Sequence, residues 1–225
     1  MSALTEIDPT GAGLNPDALA RIAPWMDRLV AEGRLAGLSV TVARRGRVAF
    51  ARACGQADLA RGTPFTLDTV TRIYSMTKPL TSVAVMQLYE QGRFQLDDPI
   101  ARVLPDFAEM RVAVGGNRAK IETEPARRGI TVRDLLTHTA GLTYGFMEAT
   151  LVDAQYREQG IDFLAREGSL AEMTRRLAAL PLLAQPGSAW NYSVATDVLG
   201  QYVAALTGRP FDQYLRDAVI APLGM

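Results

Sequence analysis

Only one stretch of this 225-residue chain reads as a pair of strands. Leu38-Ser-Val-Thr-Val-Ala43 alternates apolar and polar residues, Arg44-Arg45-Gly46 offers a turn, and Arg47-Val-Ala-Phe-Ala-Arg52 follows as a second strand. That is the period-two pattern of a half-buried hairpin. Most of the remaining chain repeats at three and four or is rich in turn residues. A lone hairpin is marginal in water. About two strands set among apolar helices therefore predict an α+β fold whose antiparallel sheet is incomplete within this chain.

The helical expectations are specific. From Pro16, the apolar positions Leu19, Ile22, Trp25, Met26, Leu29 and Val30 predict an amphipathic helix ended by Gly33 and Gly37. Leu80, Val83, Ala84, Val85 and Leu88 continue a strongly apolar helix from Lys78 as far as Gly92. Residues 96–186 read as helix and loop, with Gly115-Gly116 and Pro125 as flexible stretches. Within them Thr131 is expected to cap a helix bearing Val132, Leu135 and Leu136. Leu164 to Leu180 forms another, with Leu170, Met173, Leu177 and Leu180 on one face. Ser193 is expected to cap a helix from about Ala195 to Leu206, closed by Gly208, and Asp212 to Val219 forms a last short one. The expected organisation is a loose leader over 1–15, the first part of an α/β domain over 16–95, a mainly helical domain over 96–185, and a return toward the α/β domain over 186–225.

Charge and rare residues exclude several functions. Twenty-four basic residues balance twenty-four acidic ones, which leaves no electrostatic footprint for nucleic acid or an anionic membrane. Cys54 is the single cysteine and His138 the single histidine, so neither an internal disulfide nor a Cys/His zinc site is expected. Glu6 and Asp8 interrupt the N-terminus, and no apolar run reaches bilayer length. The expectation is a soluble protein of the cytoplasm.

The chemistry gathers in three segments. In Tyr74-Ser-Met-Thr-Lys78, Lys78 follows Ser75 by three positions at the start of a helix, so hydroxyl and amine share a face. A desolvated lysine can activate a serine hydroxyl, and the helix N-terminus favours developing negative charge. Pro79 fits the first helical turn. A Ser-x-x-Lys arises about once by chance in a chain of this length, so its surroundings decide its weight. In Gln185-Pro-Gly-Ser-Ala-Trp-Asn-Tyr-Ser-Val194, Tyr192 stands on a loop just before a helix. A packing role is the plain reading for that phenol; beside an ammonium it can lose its proton at reduced cost and relay the serine proton. His138, in Leu135-Leu-Thr-His-Thr-Ala-Gly-Leu142, reads as a residue that fixes a turn through hydrogen bonds. A Ser-His-Asp triad is the weaker alternative, and the Gly-x-Ser-x-Gly elbow is absent.

In this order and at these distances, the three segments resemble the family VIII carboxylesterases, relatives of the class C β-lactamases and D-Ala-D-Ala peptidases. The hairpin around Gly46 and the terminal Pro222-Leu-Gly-Met225 are similar too, so the likeness runs from about residue 16 to the end. It implies a serine β-lactamase-like fold, an α/β sandwich with an antiparallel sheet beside a mainly helical domain. It implies Ser75 as the acylated nucleophile, Lys78 as its activating base and Tyr192 as the second acid–base group, cleaving a short-chain, small-molecule ester without metal or cofactor. Tyr144, Phe146 and Trp190 are candidate pocket walls, and equally candidate core residues. Alternatives within the resemblance are a β-lactamase or D-Ala-D-Ala peptidase and an acyltransferase; outside it stands an inactive truncated homologue that acts only by binding. Two departures matter. Val194 stands where the class C enzymes carry an asparagine that binds the lactam side chain, which favours esters. The family's third motif, a strand donating one oxyanion-hole N–H, is expected beyond residue 225, and losing one such donor costs about 10²–10³ in rate. The expectation is a longer polypeptide, or a second chain that completes the sheet.

Overall fold

The computed structural model describes residues 7–161 and 168–225. The chain divides into two compact units, one ending at Ile73 and the other beginning at Tyr74.

In the first unit, the expected helix is two: α1 (Pro16–Ala20) and α2 (Ile22–Ala31). Pro24 explains the break at Arg21, because its ring clashes with the carbonyl four residues earlier and it has no N–H to return to it. The Asn15 side chain caps α1 by accepting from the Asp17 and Ala18 amides. The hairpin forms as expected from β1 (Gly37–Arg44) and β2 (Arg47–Asp58), antiparallel, with Arg44 opposite Arg47. Arg45 and Gly46 both take positive φ, the two-residue turn whose twist suits paired strands. A two-residue strand, β3 (Thr63–Pro64), extends the sheet in the order β1-β2-β3. Along β1 the apolar Leu38, Val40 and Val42 are half-buried while Ser39 and Thr41 face solvent. Ile7 bridges to Val48, and the Asp8 amide donates to the Val48 carbonyl.

The second unit is built around an apolar core. A short 3-10 turn, Tyr74–Met76, leads into α3 (Thr77–Glu90), which buries Ala84, Val85 and Leu88. A second hairpin follows, β4 (Arg111–Asn117) and β5 (Lys120–Pro125). This differs from the loop expected there, with Gly115-Gly116 flexible. Both glycines are paired, with Glu122 and Ile121, and the turn is closed by Asn117, whose side chain accepts from the Ala119 and Lys120 amides. Asn117 is the sequence signal for it. Helices α4 (Val132–Leu136), α5 (Leu151–Glu158) and α6 (Leu170–Ala178) each start with a reciprocal cap: Thr131 with Asp134, Thr150 with Asp153, Ser169 with Glu172. The expected start of the third at Leu164 falls on residues 164–167, outside the described residues. Helix α7 (Ala195–Thr207) is closed by Gly208 as expected, and α8 (Phe211–Leu215) continues into a wider turn over Arg216–Ile220. Buried Val198, Leu199, Tyr202 and Val203 make α7 the centre of the core, packed against α3, α4, α6 and α8. Among the described residues, no helix is long and apolar enough to cross a membrane.

One polar knot fastens this unit below the loop that follows α4. The buried Asp134 carboxylate accepts from both terminal nitrogens of Arg128, from the Thr131 amide and hydroxyl, and from the Thr139 hydroxyl. Burial pushes this carboxyl up, but Arg128 and the Thr131 donors outweigh it and hold it below the usual carboxylate range. The stabilisation is therefore complete above the ordinary carboxylate value of about 4 and is lost as pH falls below it. Asp134→Asn is expected to destabilise the chain by about 2–4 kcal/mol at neutral pH. Urea unfolding of both proteins across pH checks this: the gap should close below a pH of about 4, and a gap independent of pH would mean the carboxylate charge contributes nothing.

Candidate active site

Two loops hold the site, and backbone hydrogen bonds tie them together. From the loop after α4, the carbonyls of His138, Thr139, Gly141 and Thr143 accept from the amides of Asn191, Gly187, Leu183 and Val194 in the loop before α7. The Asn191 side chain adds a bond to the Leu142 carbonyl at 2.8 Å. The loops approach so closely that a Cβ on Gly141, which has φ +79°, would lie 2.2 Å from the Ala184 carbonyl oxygen. Only glycine fits there. This lacing fixes the backbone of Tyr192 without a helix or a strand.

Ser75 comes from the other side. Tyr74 takes a left-handed backbone, φ +46°, unusual for a bulky residue and a source of local strain. The kink sets Ser75 on the 3-10 turn ahead of α3, exposed, while Lys78 is half-buried within the first turn of the helix. The Tyr192 hydroxyl donates to Ser75 Oγ at 2.7 Å, across 117 positions of sequence. Lys78 Nζ sits 4.8 Å from the centre of the Tyr192 ring and 5.5 Å from that of Tyr144, within reach of cation–π attraction. The structure thus brings Ser75, Lys78 and Tyr192 together.

The charges follow from this geometry. Burial is the largest influence on Lys78 and works against its charge, yet the phenols of Tyr144 and Tyr192 outweigh it and hold the ammonium above the ordinary lysine value. For Tyr192, burial again opposes ionisation, but the Ser75 hydroxyl and the Lys78 charge prevail and draw the phenol below its ordinary value. Burial pushes Tyr144 up by more than Lys78 draws it down, so that phenol stays neutral. One acidic neighbour lies outside the residues expected from the sequence. Asp197, in the first turn of α7, is pushed up by burial while Lys78 pulls it down, and its field opposes ionisation of both phenols. In the sequence it looks like an ordinary acid at a helix N-terminus, so nothing sets it apart.

The three pocket candidates divide. Tyr144 is buried and partners Lys78; Phe146 stacks on it with ring centres 4.8 Å apart and is itself exposed. Trp190 is 68% exposed. His138 lies between Trp190 and Tyr192, at ring-centre distances of 6.4 Å and 4.9 Å. A row of aromatic rings thus runs Trp190, His138, Tyr192, Tyr144, Phe146, with an exposed ring at each end. Trp190 and Phe146 are both exposed, so neither belongs to the core.

Comparison with known proteins adds a lineage. The beta-lactamase family matches residues 22–225. Esterase EstB of Burkholderia gladioli is 40% identical over 222 residues, covering 97% of this chain and 53% of that protein. The solved structure of EstCE1, a hydrolase with promiscuous acyltransferase activity, superposes with a TM-score of 0.80 at 36% identity, over 93% of this chain and 52% of its own. Simvastatin synthase (LovD) from Aspergillus terreus gives 0.74 at 31% identity, over 94% and 52%. The fold is beta-lactamase-like, and the chain spans about half the length of these relatives.

The coupling between Lys78 and Tyr192 is directly testable. Lys78→Met removes the ammonium, so Tyr192 should titrate closer to an ordinary phenol, at about 10. Tyrosinate absorbance across pH, taken as the difference between each protein and its Tyr192→Phe counterpart, isolates this one phenol. An unmoved titration would show that Lys78 is not what lowers it.

Proposed function

Because the chain belongs to the beta-lactamase family, we propose that it carries the acylation machinery of a serine ester hydrolase of the family VIII carboxylesterase type. The observation that carries this reading is the 2.7 Å bond from Tyr192 to Ser75 beside the Lys78 ammonium. An esterase among the relatives supports it. In this reading the substrate is a small carboxylic ester, and residues 16–95 and 186–225 belong to the α/β half of the enzyme with 96–185 in the helical one. A cytoplasmic setting is part of the proposal, supported by the lone Cys54.

We assign the first proton transfer to Tyr192, with Lys78 as the charge that makes it possible. Lys78 is held toward its protonated form and the Tyr192 pKa is lowered, so the Tyr192 oxygen, once ionised, is the base in contact with Ser75. As Oγ bonds to the ester carbonyl carbon, its proton passes to Tyr192. The tetrahedral adduct collapses, the C–O bond to the alcohol breaks, and Tyr192 returns the proton to the departing alkoxide. Water then attacks the acyl-serine, gives its proton to Tyr192, and Ser75 leaves with that proton as the acid is released. Backbone N–H of Ser75 is one donor for the carbonyl oxygen in both steps.

Esters are favoured over β-lactams because Val194 is buried and offers no side-chain hydrogen bond where lactam recognition needs one. A second reading is acyl transfer to an alcohol in place of water. The hydrolase with promiscuous acyltransferase activity among the relatives supports it, as do the exposed Trp190 and Phe146 at the two ends of the aromatic row.

Incubation of the chain with a fluorophosphonate or a p-nitrophenyl ester, followed by intact mass spectrometry, tests the proposal. One adduct on Ser75 is expected, absent in Ser75→Ala, and formed about 10²–10⁴-fold more slowly in Tyr192→Phe. An adduct on another residue, or one that survives Ser75→Ala, would overturn the assignment. Adding acceptor alcohols and looking for new esters separates transfer from hydrolysis.

A further inference from the structure

In the sequence His138 reads as a turn-former, and the proposed reaction gives it no task. Its surroundings are too specific for a turn alone. The backbone is left-handed, φ +57°, a conformation that glycine or asparagine adopts at less cost than histidine. Its carbonyl accepts from the Asn191 amide at 2.8 Å. Its ring centre lies 4.9 Å from that of Tyr192, and Nδ1 is 3.3 Å from the buried Ser193 hydroxyl, either of which can donate. Ser193 Oγ also receives the Ala195 amide at 3.3 Å, at the start of α7. One residue thus holds the positions before, at and after Tyr192.

We propose that His138 is a positioning residue for Tyr192, its ring and backbone together keeping the phenol on the Ser75 hydroxyl. Tyr192 needs such a brace. Its loop carries no regular secondary structure, the phenol is partly open to solvent, and on the far side the Tyr144 ring flanks it at 5.5 Å. Remove the imidazole and the phenol has room to swing away from both Ser75 and Lys78, the two groups that favour its ionisation.

The imidazole does this as a neutral ring. The charged and titratable groups that act on it are Lys78 on α3 and the Tyr192 phenol ahead of α7. Burial, then the Lys78 charge, lowers the His138 pKa, so it adds no second cation to the site at neutral pH. Nor is it the serine's base: the Ser75 hydroxyl is bonded by Tyr192, and His138 Nδ1 faces Ser193.

The inference rests on reading Tyr192 as the group that takes the Ser75 proton, but its test observes the phenol itself. His138→Asn preserves the left-handed turn and removes the ring. The difference titration of Tyr192, with Tyr192→Phe as the blank, should then move up toward an ordinary phenol. The pH midpoint of fluorophosphonate labelling at Ser75 should follow it, with the rate reduced on the order of 10- to 100-fold. Ser193→Ala frees the imidazole and should shift the titration the same way by less. A folded His138→Asn chain whose Tyr192 titrates as before would overturn the proposal and leave a turn-former. If that variant does not fold, Ser193→Ala decides, and an unmoved titration is again fatal. Labelling at Ser75 and titration of Tyr192 are separate readouts, so failure of the hydrolase reading would still leave the titration to decide the role of His138.

Discussion

Tyr192 has no helix or strand to hold it, and the function proposed for it depends on keeping its hydroxyl on Ser75 Oγ. The lacing between the loop after α4 and the loop before α7 fixes its backbone. Four carbonyls in one loop accept four amides from the other, without the regular register of a strand pair. The Tyr192 side of the site hangs on it. The Asp134 knot fixes the base of the first loop through Thr139, and the close approach at Gly141 lets the two backbones meet. Helix α7 begins as soon as the lacing ends.

The second organising feature is a single ammonium shared by two phenols of different character. Tyr144 is buried and stays neutral, and Tyr192 is more open, bonded to Ser75, and drawn toward phenolate. Both face the same Lys78, so burial and the Ser75 hydroxyl separate their roles. Asp197 works against that ionisation from α7. The balance draws the Tyr192 phenol below its ordinary value, a direction that suits the proton relay proposed for it.

Much of this is legible in the sequence, for identifiable reasons. The first hairpin carries strict alternation and an Arg-Gly turn. The caps at Thr131 and Gly208 follow from local hydrogen bonding and backbone freedom, which act within a few residues. Ser75, Lys78 and Tyr192 stand out because their spacing and order resemble a known family, and the fold follows with them. What escapes is decided at longer range or by quieter signals. Pro24 breaks a helix whose apolar period runs straight through it. The second hairpin has two glycines at its end and reads as loop, though Asn117 marks its turn. Asp197 and the second use of His138 depend on what lies across from them in space, and no local pattern records that.

The exposed ring at one end of the aromatic row has an optical consequence. The chain has two tryptophans, Trp25 in the first unit and Trp190 beside His138. An indole set edge-on to an imidazole and open to solvent emits according to both the charge of its neighbour and the water around it. The molecule therefore carries a native fluorophore beside the ring that packs on Tyr192. With Trp25 replaced by phenylalanine, emission would come from the site alone, and the arrival of a ligand or a proton could be followed in real time without any label.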